Sequence, residues 1–170
     1  PYEKIYIVRS LVSTREIGFL PGTHEDKASL YQIPYKNMVK YMFEMPDDNS
    51  FEMLYENLKA QETISFWSTS FLRGTTLDNS IVIIDECQNL NFHELDSIIT
   101  RCGKDTKIIF CGDARQSDLV KSSERTGIID FMKIVQSMQD DFTMIEFSIE
   151  DIVRSGLVKN YLIAKLNLGF

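Results

Sequence analysis

The sequence has few of the residues that build metal or disulfide sites. Its cysteines are Cys87, Cys102 and Cys111, and their odd number and wide spacing fit neither CxxC zinc pairs nor a disulfide framework. The two histidines, His24 and His93, lie far apart, so no His/Cys cluster supports a zinc site. The cysteines stand in apolar surroundings, which is typical of reduced thiols in a cytosolic protein, and we expect a cytoplasmic location.

Long hydrophobic runs and an excess of positive charge are also missing. No apolar run reaches about 18 residues, so we expect no transmembrane helix and no membrane partner. Lys and Arg number 18 against 25 Asp and Glu, a net charge of -7, so any nucleic-acid site must be local. The 170 residues, 44% of them hydrophobic and 25% charged, predict one globular domain over 1–170.

Short β-branched runs alternate with amphipathic segments along the chain. Continuous apolar runs without alternation are typical of strands that are covered on both faces, as in parallel sheets. The fold class is therefore predicted as α/β, a mostly parallel β-sheet sandwiched by helices. The predicted strands are Ile5–Val8, Thr63–Trp67, Ser80–Ile84, Lys107–Cys111 and, with more alternation, Phe142–Phe147.

The predicted helices lie between and after these strands. Asn91 followed by Glu94 forms a capping-box pattern that predicts a helix over Asn91–Cys102, ended by Gly103. Two helical stretches near 35–45 and 51–60 form a separate cluster, which we interpret as a helical insertion over 18–60. Further helices are predicted at Ile128–Met138 and Glu150–Leu166.

Carboxylates follow two of the predicted strands. Ser80–Ile84 runs into Asp85 and Glu86, and Lys107–Cys111 runs into Gly112-Asp113, with Gln116 three residues later. Adjacent parallel strands would present these carboxylates on one edge, where such sheets bind ligands. Four aliphatic residues followed by Asp-Glu is the Walker B pattern, in which the first carboxylate holds Mg²⁺ and the second faces the attacking water. A solvated strand end and a surface turn are the alternative interpretations.

The motifs resemble those of the PhoH-like family of P-loop ATPases. Cys87 replaces the Ala of the family's Asp-Glu-Ala-Gln-Asn box. The resemblance implies a P-loop NTPase (RecA-like) core, similar to that of superfamily-one helicases. The resembling blocks, in chain order, are Glu16–Gly22, Ser70–Asn79, Ile81–Leu90, Thr100–Leu119 and Phe147–Val158.

The resemblance also implies roles for individual residues, with ATP and Mg²⁺ as cofactors. Asp85 corresponds to the metal carboxylate and Glu86 to the catalytic base. Gln116 corresponds to the sensor of the γ-phosphate, on a loop that Asp113 anchors. The basic residues of the family boxes are candidates for an arginine finger, acting in the same chain or in a neighbouring subunit of a homo-oligomeric ring, or for surface salt bridges. They are Arg73, Arg101 and Arg154.

The phosphate-binding motif GxxxxGK[ST] is absent from the sequence. The only Gly-Lys pair, Gly103-Lys104, has Ile98 five residues before it and Asp105 after it. The resemblance therefore implies a core without its first strand and phosphate loop, and the start at Pro1 is interpreted as a truncation. We expect weak or no ATP hydrolysis by these residues alone and Mg²⁺-dependent hydrolysis by the parent protein.

Three functions remain open at the level of sequence. The first is an ATPase that remodels RNA or single-stranded DNA, with the loop Ser10–Arg15 placed for phosphate contacts. The second is a Mg²⁺-dependent nuclease that uses Asp85, Glu86 and Asp113 as ligands of two metal ions and needs no phosphate loop. The third is a non-catalytic oligomerisation fragment.

Overall fold

The computed structural model describes residues 2–9, 24–69, 74–113 and 122–169, with the backbone alone for 24–31 and 122–126. Two compact units divide the chain, Pro1–Lys133 and Ile134–Phe170. In the described ranges the elements are β1 (Lys4–Arg9), α1 (His24–Phe43), α2 (Asp48–Ala60), β2 (Ile64–Ser68), β3 (Ser80–Asp85), α3 (Phe92–Ile99), β4 (Lys107–Phe110), α4 (Ser122–Ser137) and α5 (Gly156–Asn167).

The four strands of the first unit form one parallel sheet in the order β2-β1-β3-β4. The predicted α/β class is therefore confirmed. Consecutive strands that run parallel need a crossover connection, and α1 and α2 lie in the one between β1 and β2, while α3 lies in the one between β3 and β4. The predicted strands in this unit match the observed ones to within one residue at each end.

One face of the sheet is buried at its centre. Val8, Val82 and Ile84 have no exposed surface, and Ile84 is in register with Phe110 of β4. The Phe110 ring packs on Phe131 of α4 at a centroid distance of 4.9 Å. A Cβ at Gly127 of α4 would lie 2.6 Å from the Phe92 nitrogen, so α3 and α4 are in close contact here. Both helices therefore belong to the layer over this face.

The opposite face is covered by α1 and α2. Val39 of α1, Phe51 and Tyr55 of α2, and Ile64 of β2 form a buried cluster, against which Phe66 packs. The side chains of Ile64 and Phe66 point away from the face that carries Val8, Val82 and Ile84, since successive side chains of a strand point to opposite sides of the sheet. The sheet is thus sandwiched between two helical layers, as predicted.

Polar caps set the starts of two helices. The Asn91 side chain accepts from the Glu94 N–H at 3.0 Å, and the Glu94 carboxylate accepts from the Asn91 N–H at 3.0 Å, so the predicted capping box is confirmed. Asp47 caps α2 by accepting a hydrogen bond from the Ser50 N–H at 2.9 Å. These bonds satisfy N–H groups that have no partner inside the helix.

The predicted end of α3 at Cys102 is wrong. The helix ends at Ile99, and Thr100 folds its hydroxyl back to the Asp96 carbonyl at 2.8 Å. The Gly103 N–H instead donates to the Leu77 carbonyl at 2.8 Å, which ties this segment to the residues that precede β3. A contact distant in sequence thus replaces the last helical turn.

Two predictions in the second unit are also wrong. Phe142–Phe147 is not a strand, and Phe147 is 76% exposed, because no partner strand in the described ranges pairs with it. The helix predicted from Glu150 begins at Gly156. Ser148 and Asp151 close a separate 3-10 turn over Ile149–Asp151 through a 2.6 Å bond from the Ser148 N–H.

None of the helices in the described ranges combines the length and apolar character that a bilayer crossing needs.

Candidate functional site

The carboxyl ends of the strands meet at one edge of the sheet. Arg9 at the end of β1 is in register with Ser68 of β2 on one side and Asp85 of β3 on the other. After β4, the Cys111 N–H donates to the Ile84 carbonyl at 2.8 Å. The predicted adjacency of the two carboxylate-bearing strand ends is therefore confirmed.

Glu86 turns the chain sharply after β3. Its φ of 53° and ψ of 43° are left-handed, a conformation that costs a residue other than glycine about 1–3 kcal/mol. Two hydrogen bonds hold the turn. The Cys87 N–H donates to the Cys111 carbonyl at 2.9 Å, and the Asn89 N–H donates to the Glu86 carbonyl at 2.9 Å. The side chain of Glu86 thereby leaves the line of the strand at a defined position beside the segment after β4.

Gln88 connects the ends of β3 and β4 through its side-chain amide. Its Nε2 donates to Glu86 Oε2 at 2.6 Å, and its Oε1 accepts from the Asp113 N–H at 3.2 Å. The side chain is only 4% exposed, so the amide is held on both sides in a largely dry environment. Through Gln88 the carboxylate of Glu86 is fixed relative to the backbone of Asp113.

The residue between Cys111 and Asp113 leaves no room for a side chain. A Cβ at Gly112 would lie 2.6 Å from Gln88 Oε1 and 2.7 Å from Cys87 Sγ. Glycine at this position therefore lets the segment after β4 approach the Gln88 amide closely enough for hydrogen bonding.

Asp85 accepts a hydrogen bond from α1. The Tyr35 hydroxyl donates to Asp85 Oδ2, and the Tyr35 ring packs on Phe66 at a centroid distance of 5.6 Å. Burial and the Asp85 carboxylate raise the pKa of Tyr35 well above its usual range, while Arg9, which also hydrogen-bonds to it, acts in the opposite direction. Tyr35 is therefore protonated at neutral pH and serves Asp85 as a donor.

The two thiols of the site are poor nucleophiles. Burial raises the pKa of Cys87 to about 11, with a smaller contribution from Cys111. Burial also raises the pKa of Cys111. Both thiols are protonated near pH 7, and a protonated thiol is neither a good nucleophile nor a good metal ligand.

The donors at this edge fit a hydrated hard cation. Mg²⁺ is usually held by one or two carboxylates and keeps several waters or phosphate oxygens as its remaining ligands. The half-buried Asp85 at the strand end supplies such a carboxylate. Among the described residues no group of three His, Cys, Asp or Glu lies close enough together to hold a metal without such outside ligands.

The predicted basic residues and the sensor do not all lie at this edge. The Arg101 carbonyl accepts from the Leu77 N–H at 2.9 Å, which places its backbone near the amino ends of the strands. The length of β3 separates that edge from Asp85 by roughly 17 Å, beyond the reach of an arginine side chain. Arg154 is exposed in the second unit. Gln116, Arg73 and the loop Ser10–Arg15 fall outside the described residues.

Comparison with known proteins decides the family. A family model described as PhoH-like protein matches residues 1–165. The chain belongs to the PhoH-like family. The parallel sheet between helical layers is consistent with the P-loop NTPase-like domain of PhoH-like proteins.

Curated relatives of this PhoH-like chain come from distant bacteria. It is 31% identical over 157 residues to a PhoH-like protein of Bacillus subtilis, covering 92% of this chain and 46% of the relative. It is 30% identical over 156 residues to a PhoH-like protein of Mycobacterium leprae, covering 91% and 42%. For Protein PhoH of Escherichia coli the identity is 29% over 163 residues, covering 94% and 44%. The chain thus spans less than half the length of these relatives.

Three residues of the site were not among the sequence-based candidates in this PhoH-like chain. Gln88 had a usable signal, because it follows Glu86 by two residues and β4 was predicted to lie beside β3. Arg9 had a weaker one, since it directly follows a predicted strand. Tyr35 lies 50 residues from Asp85 and had none.

Proposed function

We propose that this chain carries the hydrolysis side of an ATPase site and that its parent protein hydrolyses ATP with Mg²⁺. The observation that supports the proposal most strongly is the fixed arrangement at the carboxyl edge. Asp85 and Glu86 end β3, and Gln88 joins Glu86 to the backbone of Asp113. A strand end that serves only the fold needs neither two adjacent carboxylates nor a buried amide that holds one of them.

In this proposal each residue has one task. Asp85 holds Mg²⁺ through water, and the metal supplies positive charge to the phosphate oxygens when it is bound. Glu86 orients the attacking water and accepts its proton. Gln88 keeps the Glu86 carboxylate in place, and Asp113 anchors the loop that presents Gln116 to the γ-phosphate. These assignments follow the roles that the corresponding residues usually have in P-loop NTPases.

The proposal requires a phosphate-binding loop that the 170 residues lack. The outer edge of β4 is a suitable place for the strand that carries it. In the described part of the chain no strand pairs with this edge, and Ile109 is 36% exposed there. A further parallel strand at β4 would bring its own carboxyl end next to Glu86 and Asp113.

Partners and location extend the proposal. We propose RNA or single-stranded DNA as the substrate of the parent protein, because its core resembles that of superfamily-one helicases. A homo-oligomer is the arrangement in which Arg101 could act as an arginine finger, since the amino ends of the strands in one copy, where Arg101 lies, can face the nucleotide of another copy. Free thiols at Cys87, Cys102 and Cys111 support a cytoplasmic location.

The nuclease alternative has less support. Two-metal cleavage of phosphodiesters needs several carboxylates around a pair of ions about 4 Å apart. The described residues contain no group of three candidate ligands, and Gln88 holds Glu86 by its carboxylate. Metal-dependent cleavage of RNA or DNA without ATP by the purified protein would reverse this preference.

The test of the proposed function is Glu86→Gln in the intact parent protein. Loss of a general base lowers turnover by about 10²- to 10⁴-fold, and we expect nucleotide binding to persist because the phosphate loop is untouched. Glu44→Gln is the matched control, since Glu44 is also left-handed but is exposed at the end of α1. Unchanged phosphate release by Glu86→Gln would contradict the assignment of the base.

A further inference from the structure

We propose that Tyr35 is a positioning residue for the metal carboxylate, its phenol holding Asp85 in the orientation that receives Mg²⁺. The inference rests on the proposed function, because it concerns how the proposed ligand is held. It assigns a task at the nucleotide site to the helical segment between β1 and β2.

The contact joins three separate elements at the carboxyl edge. Tyr35 of α1 donates to Asp85 Oδ2 at the end of β3, and Arg9 at the end of β1 hydrogen-bonds to the same tyrosine hydroxyl. Arg9 and Asp85 are register partners on neighbouring strands, so both side chains leave the sheet on the same face. A phenol between a guanidinium and a carboxylate accepts from the first and donates to the second.

The surroundings of the Tyr35 ring indicate a role for its hydroxyl beyond packing. Phe66 of β2 supports the Tyr35 ring at 5.6 Å, which fixes the direction of its hydroxyl. Tyr55 of α2 lies in the same helical layer and is 2% exposed, and in the described structure its hydroxyl has no hydrogen-bond partner. The layer therefore buries one tyrosine for its ring alone, whereas Tyr35 directs its hydroxyl to the strand end.

A fixed carboxylate is a better metal ligand than a mobile one. A metal-bound carboxylate is commonly hydrogen-bonded by a neighbouring group, and removal of that group typically weakens metal binding or activity by about 10- to 100-fold. With Oδ2 of Asp85 held by Tyr35, Oδ1 remains for a water of the hydrated cation. The side chain is ordered before the cation arrives, so binding loses less conformational entropy.

The experiment compares Tyr35→Phe with Tyr55→Phe in the intact parent protein. Each substitution removes one hydroxyl and keeps the ring. Mn²⁺ serves as the probe, and its dissociation constant in the presence of ADP is measured from the electron paramagnetic resonance signal of free Mn²⁺. The Mg²⁺ concentration for half-maximal ATP turnover is measured in parallel, and circular dichroism verifies that each variant is folded.

We expect Tyr35→Phe to raise both the Mn²⁺ dissociation constant and the half-maximal Mg²⁺ concentration about tenfold. Turnover should recover at saturating Mg²⁺, which a general folding defect would not allow. Tyr55→Phe should change neither quantity. A change below twofold in Tyr35→Phe, or tighter Mn²⁺ binding, would overturn the inference, and tighter binding would mean that the phenol competes with the metal.

Asp85→Asn separates this inference from the proposed function. If Asp85→Asn weakens Mn²⁺ binding and Tyr35→Phe does not, the positioning role fails while Asp85 remains a metal ligand. If Asp85→Asn leaves Mn²⁺ binding unchanged, Asp85 is not a ligand, and both the metal assignment and the positioning role fail.

Discussion

Replacement of the Gln88 amide tests how strongly the ends of β3 and β4 are joined. Gln88→Met keeps the length and nearly the shape of the side chain and removes both hydrogen bonds. The bond from Nε2 to the Glu86 carboxylate, at 2.6 Å, has a charged acceptor, and the bond from the Asp113 N–H, at 3.2 Å, is neutral. The substitution leaves the Glu86 carboxylate, which is half-buried, and the N–H of Asp113, which is exposed, without these partners. Water can reach both groups in part.

The magnitude follows from these contacts. A bond to a charged group contributes about 1.5–3 kcal/mol net and a neutral one about 1 kcal/mol. Burying methionine rather than an amide recovers about 1 kcal/mol. The expected loss in the free energy of unfolding is therefore about 2 kcal/mol, which lowers the urea midpoint by about 1 M at an m-value of about 2 kcal/mol/M.

The assay is urea unfolding followed by circular dichroism, with Asn89→Leu as the matched control. Asn89 lies next to Gln88 in the 3-10 turn Cys87–Asn89 and is exposed, so the loss of its amide should move the midpoint by less than about 0.3 M. If Gln88→Met shifts the midpoint no further than Asn89→Leu does, the two bonds do not stabilise the edge and the reasoning is refuted.

Two further predictions concern the same segment. Gly112→Ala should destabilise the protein by about 1–3 kcal/mol, because the new Cβ would lie 2.6 Å from Gln88 Oε1. Gly156→Ala is the control and should not destabilise the protein, since no heavy atom lies within 4 Å of its new Cβ. Equal thermal midpoints for the two variants would contradict this prediction. Burial raises the pKa of Cys87 to about 11 from 9.0, so the unfolded state releases this proton first. The free energy of unfolding should therefore fall by about 2 kcal/mol between pH 9 and pH 11, and Cys87→Ala should remove that part of the decline. Urea titrations across this pH range measure it. If the free energy of unfolding of Cys87→Ala declined with pH as steeply as that of the unsubstituted protein, the effect would be excluded.

The strands of the sheet were predictable because their signal is local. Within Ser80–Ile84, the four residues from Ile81 form a continuous β-branched run, which is typical of a strand covered on both faces, and the carboxylates that follow it stand at the carboxyl edge. The capping box of Asn91 and Glu94 is likewise complete within four residues. Where the determining contacts lie within one segment, the sequence was sufficient.

The failures have a common physical cause. Phe142–Phe147 has the alternation of a strand, but a strand also needs a partner, and sequence pattern does not contain one. The last turn predicted for α3 was lost to a bond between Gly103 and Leu77, and Tyr35 reaches Asp85 across 50 residues. Each of these contacts depends on how the chain folds back, which periodicity does not encode.

The left-handed backbone of Glu86 favours replacements that would stabilise the turn but remove the proposed catalytic base. Glycine and asparagine adopt this conformation more readily than glutamate, so either would relieve strain at the turn. Variants selected from a library for heat resistance alone would be enriched in such replacements and would lose the proposed base in the process. Stabilised forms of this protein are therefore better sought with position 86 held constant.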